Sequence, residues 1–402
     1  MVDHAGVRVR YWRLRRGLTR QTLAGRVGRS VSWLEKIEAG DRDLARLPML
    51  EKVAAALGVT VQALTDPVEA ERATRAPDAA EVAAIRGALG RYEVILGAPV
   101  EVEEHPRPAD LARRVRFLDE AFLASRFSSI GRDLPRLLIQ TQRAVEEHPG
   151  QESARLLVKT YRVASSTLLK LGADETAWMA ADRAVLAAQR SGDLYCLGRA
   201  TRSADRAMTS LGRTDQALDA LLAMAARMEP EIGASAPEIA ALYGMVLLAA
   251  EIAAAKFGDA HTARSMHNEA SAVAAAWFAG AGHDPETAFG TVNVALHWVS
   301  SLVRLGRPGE ALAHARAVDA ARLGALPRER RSTFMLDVAS AHHCLGDYDG
   351  ALSALLAADR IAPEEARCRP GSKALIASLV ADPTRSPSPE LRALAQHAGV
   401  PS

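Results

Sequence analysis

The side chains with the most chemical potential in this sequence fall into three short runs. In FGTVNVALHWVSSLVR, Asn293 and His297 stand four residues apart, with Trp298 beside the histidine and Arg304 further along. On a helix that spacing brings the amide and the imidazole onto one face. An asparagine there can donate and accept at once, which matches the hydrogen-bonding pattern of a peptide backbone. The same pair can also serve as structural partners on an amphipathic helix. Two Asp-Arg pairs, Asp182-Arg183 and Asp205-Arg206, lie 23 residues apart, and read either as a charged strip or as solvated surface and inter-repeat ion pairs. The third run, His342-His343-Cys344, has metal-ligating types, but adjacent helical positions point about 100° apart. One coordination sphere cannot readily take both histidines, so no metal is expected. The three cysteines, Cys196, Cys344 and Cys368, are widely separated and form no CxxC pair, so they read as small buried hydrophobes. No phosphate loop, GxSxG or HExxH motif is present, and no paired carboxylates stand out beside a histidine. An enzyme is not expected, and no cofactor.

Helices must position these residues. Of the 402 residues 49% are hydrophobic but only 4% aromatic, an Ala- and Leu-rich usage that favours helix over strand. The expected fold class is all-α, and the length exceeds what one core usually holds, so a small module and a larger body are expected. No apolar run approaches the roughly 18 residues of a membrane span, and the N-terminus lacks a signal peptide's apolar stretch. The expectation is a soluble, cytoplasmic chain. Its formal charge of +2 hides an asymmetry: residues 1–66 carry 12 basic against 7 acidic side chains, the remainder 38 against 41. A polyanion would therefore meet the head alone.

The head, VRVRYWRLRRGLTRQTLAGRVGRSVSWLEKIEAGDRD and onward, reads as five short helices over residues 1–66. Gly17-Leu18-Thr19 ends the first, and Thr19 caps a second from Arg20 to Val27. Gly28 permits a left-handed turn, Ser30 caps the third, Leu34 and Ile37 face inward, and Gly40 closes it. Leu50, Val53, Ala54 and Leu57 mark a fourth helix ending at Gly58, and Val61 and Leu64 a fifth before Asp66-Pro67.

These residues, with Leu23-Ala24, the Leu34-x-x-Ile37-Glu38-x-Gly40 run and Leu57-Gly58-Val59, resemble the lambdoid-repressor or xenobiotic-response-element (XRE) family of helix-turn-helix domains. The resemblance implies double-stranded DNA as partner, with the third helix in the major groove and the second across the phosphate backbone. It places base contacts at Val31, Ser32 and Lys36. Arg20 stands where the family often has glutamine, available to a phosphate or a base. Arg29, Ser30 and Arg42 are implied phosphate contacts. Arg13 and Glu38 occupy positions of a partly buried ion pair. Asp41 and Asp43 set negative charge in the loop after the third helix, where relatives tend to be basic, and Glu35 lies on the same helix as Lys36.

Residues 67–108 read as a linker containing one helix, about Asp78 to Leu96, with Asp78 as cap and prolines at 77, 99, 106 and 108. Beyond it, over residues 109–381, an apolar-Gly-x-x-x-x-Ala motif recurs as Leu171-Gly172…Ala177, Leu211-Gly212…Ala217, Phe257-Gly258…Ala263, Leu305-Gly306…Ala311 and Leu345-Gly346…Ala351. The glycine spacings of 40, 46, 48 and 40 residues are those of helical hairpins, the glycine ending one helix and the alanine letting the next approach. The pattern resembles tetratricopeptide repeats (TPR), most clearly in GDYDGALSALLAADRIAP with its Pro363, although the earlier copies are longer than that family's usual ~34 residues. A sixth hairpin without the motif is expected from residue 109 to about 148, and a capping helix near Ser372 to Val380; residues 382–402 read as a tail.

Stacked hairpins imply an α-solenoid with a concave binding face. Helix-turn-helix plus such repeats is similar to the peptide-sensing regulators of Gram-positive bacteria, in which asparagines clamp the peptide. The implied function is a DNA-binding transcriptional regulator whose solenoid binds a peptide, small molecule or protein partner and mediates homodimerisation, with Asn293, His297, Trp298 and Arg304 as candidate ligand contacts. The alternative is a TPR interaction scaffold or antitoxin-like partner whose helix-turn-helix serves only autoregulation. The Ala- and Arg-rich usage resembles that of a high-GC actinobacterium.

Overall fold

A computed structural model describes residues 5–15, 18–44, 46–57, 59, 61–66, 79–96, 106–232, 237–279 and 282–401. Gly17, Gly58, Pro67, Pro77, Asp78 and Pro99, all used in the sequence reading, lie outside them. The chain is all-α, and it divides into two compact units, Met1–Ala84 with Val380–Ser402, and Ile85–Leu379.

In the first unit five helices pack around one apolar centre: α1 (Ala5–Arg15), α2 (Arg20–Val27), α3 (Val31–Ala39), α4 (Leu47–Leu57) and α5 (Val61–Thr65). Trp12, Leu23, Leu34, Ile37, Val53, Leu57 and Leu64 are buried there together. The expected caps form. Thr19 accepts from the Thr22 amide at 3.1 Å and Ser30 from the Trp33 amide at 3.2 Å, while Gly28 and Gly40 take positive φ of 69° and 84°. Arg8 donates through Nε to the Leu64 carbonyl at 2.8 Å, which fastens the first helix to the fifth.

Helices α6 (Ala79–Leu89) and α7 (Tyr92–Ile95) stand in the segment read as a linker. Its later part is docked rather than free. Arg86 donates to Thr176 at 3.1 Å, and Arg183 reaches the Leu89 carbonyl while its guanidinium lies 5.6 Å from the centre of the Tyr92 ring.

Six hairpins follow. They are α8/α9 (Pro108–Leu123, Phe127–Glu147), α10/α11 (Gln151–Lys170, Asp174–Ser191) and α12/α13 (Leu194–Ser210, Thr214–Met228). Then come α14/α15 (Pro237–Phe257, Ala260–Phe278), α16/α17 (Thr291–Arg304, Pro308–Arg316) and, after the short α18 (Ala320–Ala325), α19/α20 (Arg328–Cys344, Tyr348–Ile361). Short α21 (Pro363–Cys368) and α22 (Pro370–Val380) end the array, and α23 (Pro389–Ala398) occupies the expected tail. Pro363 thus opens a helix.

The recurring motif has one physical meaning in all five copies. Each glycine sits at positive φ, between 71° and 88°. The amide after it, of Ala173, Arg213, Asp259, Arg307 or Asp347, donates 2.9 Å back to the carbonyl five residues earlier. That bond closes the first helix in a left-handed C-cap. The motif alanines 177, 217, 263, 311 and 351 are fully buried, so any larger side chain would push the paired helices apart.

The array returns on itself. Helix α8 packs against α19, and the Lys170 ammonium lies 2.7 Å from Glu329 and 2.5 Å from Glu365. Ser128 donates its amide and hydroxyl to Glu364 at 2.8 and 3.1 Å. Helix α14 is long and apolar enough to cross a membrane by length and composition, contrary to the sequence reading, but 78% of its most apolar window is buried inside the array. There it packs on the segment after α15, which turns Phe289 inward. At Gly244 a Cβ would stand 2.0 Å from the Phe289 ring.

Gly244→Ala is therefore expected to lower stability by about 1–3 kcal/mol through overpacking, read as a lower urea midpoint. Phe289→Leu added to it should recover part of the loss.

Candidate functional site

The exposed side of α3 and its flanks forms the first candidate surface. Val31, Ser32 and Lys36 are exposed on the early part of the helix, and Arg29, Ser30 and Arg42 are exposed on either side of it. The structure therefore brings six of the seven expected contacts to the flanks and outer face of one helix. Ser30 divides its duty, since its hydroxyl already caps α3. The Arg29 guanidinium lies 5.9 Å from the Trp33 ring centre, which holds it beside the helix start.

Arg20 is the exception. Its Nε donates to Glu38 at 2.9 Å, and Glu35 is 3.7 Å from its Nη1. One edge of the guanidinium expected to meet DNA is thus held by the carboxylates of α3, while the side chain stays 41% exposed. Arg13 grips the same Glu38 from α1, through Nε at 2.5 Å and Nη2 at 2.9 Å, and donates to the Leu18 carbonyl at 3.0 Å. Burial works against the Glu38 carboxylate, and the hydrogen bonds from Arg13 and Arg20 outweigh it, so its pKa lies below the usual value. Three helices are locked at one carboxylate. Glu35 then stays close to Arg20, while Asp41 and Asp43 face solvent after α3.

The second candidate is the inside of the hairpin array, and here the expected ligand strip separates into different environments. Asn293 is 1% exposed, with Nδ2 donating to the Met245 sulfur at 3.4 Å and Oδ1 buried without a partner. Trp298 is 3% exposed, with its ring 4.5 Å from that of His267 and 4.1 Å from the Arg264 guanidinium. Both are packing residues, because α16 is covered on that side by α14 and α15. His267 also lies 3.1 Å from Glu251, a fully buried carboxylate to which Ser301 donates at 2.6 Å. Burial raises the Glu251 pKa.

His297 turns the other way. Its Nδ1 lies 2.8 Å from the Asn293 carbonyl, and its surroundings include Arg330, Arg202 and Glu329. Burial and the nearby Arg330 push its pKa down to about 3. Arg304 bonds the Ser300 carbonyl at 2.7 Å and lies 3.4 Å from Asp337.

The residues that give this interior its charge form no motif in the sequence. Arg199, Arg202 and Arg206 come from α12, Arg162 from α10 and Arg330 from α19. The repeated Asp205-Arg206 pair was their one visible trace. Arg206 crosses to α10, where Nη2 donates to Ser166 at 2.9 Å, and Asp205 is buried. Asp182 is exposed and its neighbour Arg183 serves α6 and α7, so the two pairs do not form one strip. Beside Arg162 and Arg199 lies a cavity of about 600 Å³ that Lys159, Tyr195 and Glu286 also line.

The remaining chemical candidates disperse. His342 lies 2.7 Å from Asp347 and His343 3.2 Å from Ser378. Among the described residues no group of three or more His, Cys, Asp or Glu side chains could hold a metal ion. Cys196 and Cys368 are buried, but Cys344 is exposed because it ends α19, which corrects its reading as a core residue.

Residues 4–68 match the model of a family described as a helix-turn-helix domain. No curated protein sequence matches the chain. Among solved structures, the crystal structure of Bacillus thuringiensis PlcR in complex with the peptide PapR7 and DNA is 13% identical. The match covers 86% of this chain and 98% of that one at a TM-score of 0.33.

Two outcomes are expected. Arg13→Met leaves Glu38, 4% exposed, with only the half-exposed Arg20, and should destabilise the head by about 3 kcal/mol, visible as a lower melting temperature of its transition. His297 binds its proton less readily folded, at about 3, than unfolded, at 6.5, so the unfolded chain takes up more protons between these values. Stability should fall as pH drops below 6.5, and His297→Gln should flatten that part of the stability curve.

Proposed function

We propose that the chain is a DNA-binding transcriptional regulator, cytoplasmic and homodimeric, whose hairpin array binds a peptide, small molecule or protein partner and supplies the dimer contacts. One observation carries the reading. Helix α3 presents Val31, Ser32 and Lys36 outward, with Arg29 and Arg42 beside them, on a frame fixed by Arg13 and Glu38. A rigid helix that projects an amine, a hydroxyl and a branched apolar group suits the major groove. The amine meets guanine acceptors, and Val31 meets a thymine methyl. Arg29 and Arg42 supply phosphate contacts that hold register without reading sequence.

Arg20 acts in this reading through Glu38, orienting α3, rather than as a base contact. One such helix reads only a few base pairs, so two copies on palindromic half-sites are the expected binding unit. The array contributes a binding interior, and no catalytic step is assigned to it.

The test is a fluorescence-anisotropy titration of the full chain against its own upstream DNA and a scrambled duplex, at two salt concentrations. Preference for the upstream duplex is expected, with Lys36→Ala weakening it by about tenfold, equivalent to ~1–3 kcal/mol. Arg29→Ala and Arg42→Ala should weaken both duplexes alike and lower the salt slope by about one each. Weak binding that is equal for both duplexes and indifferent to Lys36 would overturn the reading.

A further inference from the structure

The charges inside the hairpin array do not balance. Helix α12 carries Arg199, Arg202 and Arg206 three and four residues apart, hence along one face. Arg199 has Glu286 at 2.7 Å, and Arg162 has Asp119. For Arg202 and Arg206 no carboxylate comes within ion-pair distance among the described residues. Arg206 makes do with the Ser166 hydroxyl and the Arg202 carbonyl, the latter at 3.2 Å. Arg330 is in ion-pair range of the neighbouring Glu329, 3.6 Å from an Oε2 that is buried without a hydrogen bond, while Lys170 holds Oε1.

The donors left over are specific. Nε of Arg202, Nε of Arg330 and Nε of Arg162 are each shielded from solvent and donate to nothing. Buried guanidinium donors without acceptors are costly, and a folded chain keeps them only where something offsets the cost. Asp205 does not do so. Burial pushes its pKa up to about 7, so near neutrality it is only partly charged. The guanidiniums also act on one another. Burial and the charges of Arg206 and Arg330 hold Arg202 well below its usual value, and burial with Arg330 and Arg162 brings Arg206 down to about 10. What Arg202 and Arg206 lack is an acceptor carrying negative charge, with more than one oxygen to serve both forks and reach Arg330 at once.

We propose that this interior binds an oxyanion, the carboxylate or phosphate group of a ligand, on the guanidinium groups of Arg202, Arg206 and Arg330. The proposal rests on the reading above that the array holds a ligand, and it names that ligand's charged group. Arg202, Arg206 and Arg330 come from two helices, α12 and α19, at different points of the array. An oxyanion between them bridges those helices and draws them together. Arg162 and Arg199 carry the basic row to the wall of the cavity of about 600 Å³, where the rest of a ligand finds room. His297, uncharged at neutral pH, faces the same row and adds a polar group without adding to the repulsion.

The experiment is thermal denaturation of the full chain in inorganic phosphate and in acetate, each against sodium chloride at matched ionic strength. Phosphate, acetate or both should raise the melting temperature by about 3 °C over chloride, and the one that does so identifies the oxyanion. The Arg202→Gln/Arg206→Gln variant should lose that rise, and should itself melt no lower than the parent in chloride because mutual repulsion is relieved. Arg202→Lys, which keeps the charge, should retain part of the response. If the double variant does not fold, Arg330→Gln is read in the same way. No rise over chloride in either anion, or an equal rise in parent and variant, overturns the proposal. The DNA titration separates the two readings. Sequence-preferring DNA binding with no anion response overturns the anion site alone, whereas an anion response without DNA preference leaves the site standing and overturns the regulator.

Discussion

Lys170 sets its ammonium between the carboxylates of Glu329 and Glu365, which follow it by 159 and 195 residues. All three side chains are buried. Arg369 extends the group, reaching Glu365 at 2.9 Å and Thr333 at 3.1 Å. Buried charges are costly unless they are paired and hydrogen-bonded, so this knot favours the second hairpin held against the last. The rest of the larger unit follows from that closure. Hairpins that might have run on as an open curved stack are returned to their start, and the inner helices then face one another across a polar interior instead of open water.

The closure explains why the interior is so charged. Inner-helix positions of a hairpin array are solvated on an open concave surface, and arginines cost little there. Once the array returns on itself the same residues lie in a medium that screens poorly, and each needs a partner. Arg162 and Arg199 find theirs in Asp119 and Glu286. Arg202 and Arg206 do not, and an unmet need for negative charge is what a ligand can supply.

The smaller unit uses one carboxylate for a comparable purpose at shorter range. Glu38 belongs to α3 but is held by Arg13 from α1 and by Arg20 from α2. A surface that reads shape and hydrogen-bond pattern must hold its side chains still, because an ill-defined helix angle would blur the match at each contact. The apolar centre gathers the helices. The ion pair fixes their rotation, since hydrophobic contact is not directional and a bidentate guanidinium is.

Much of this was legible in the residues themselves. The caps at Thr19 and Ser30, the positive-φ glycines and the inward Leu34 and Ile37 are local features, set by a few neighbours along the chain. So was the five-fold glycine–alanine motif, because a helix C-cap and a helix–helix contact each require a residue type at a fixed offset. The Arg13–Glu38 pair was legible through resemblance alone. What sequence could not give was direction. Asn293 and His297, four residues apart, were read as one face. They are divided by what packs on α16: Asn293 goes under α14, and His297 faces arginines contributed by α12 and α19. The bond from Arg20 to Glu38 likewise could be read only from the fold. Local periodicity decided which segments became helices and where each one ended. Only the tertiary structure, by bringing together groups up to 195 residues apart, decided which charges are paired, which are buried, and which are left wanting a partner.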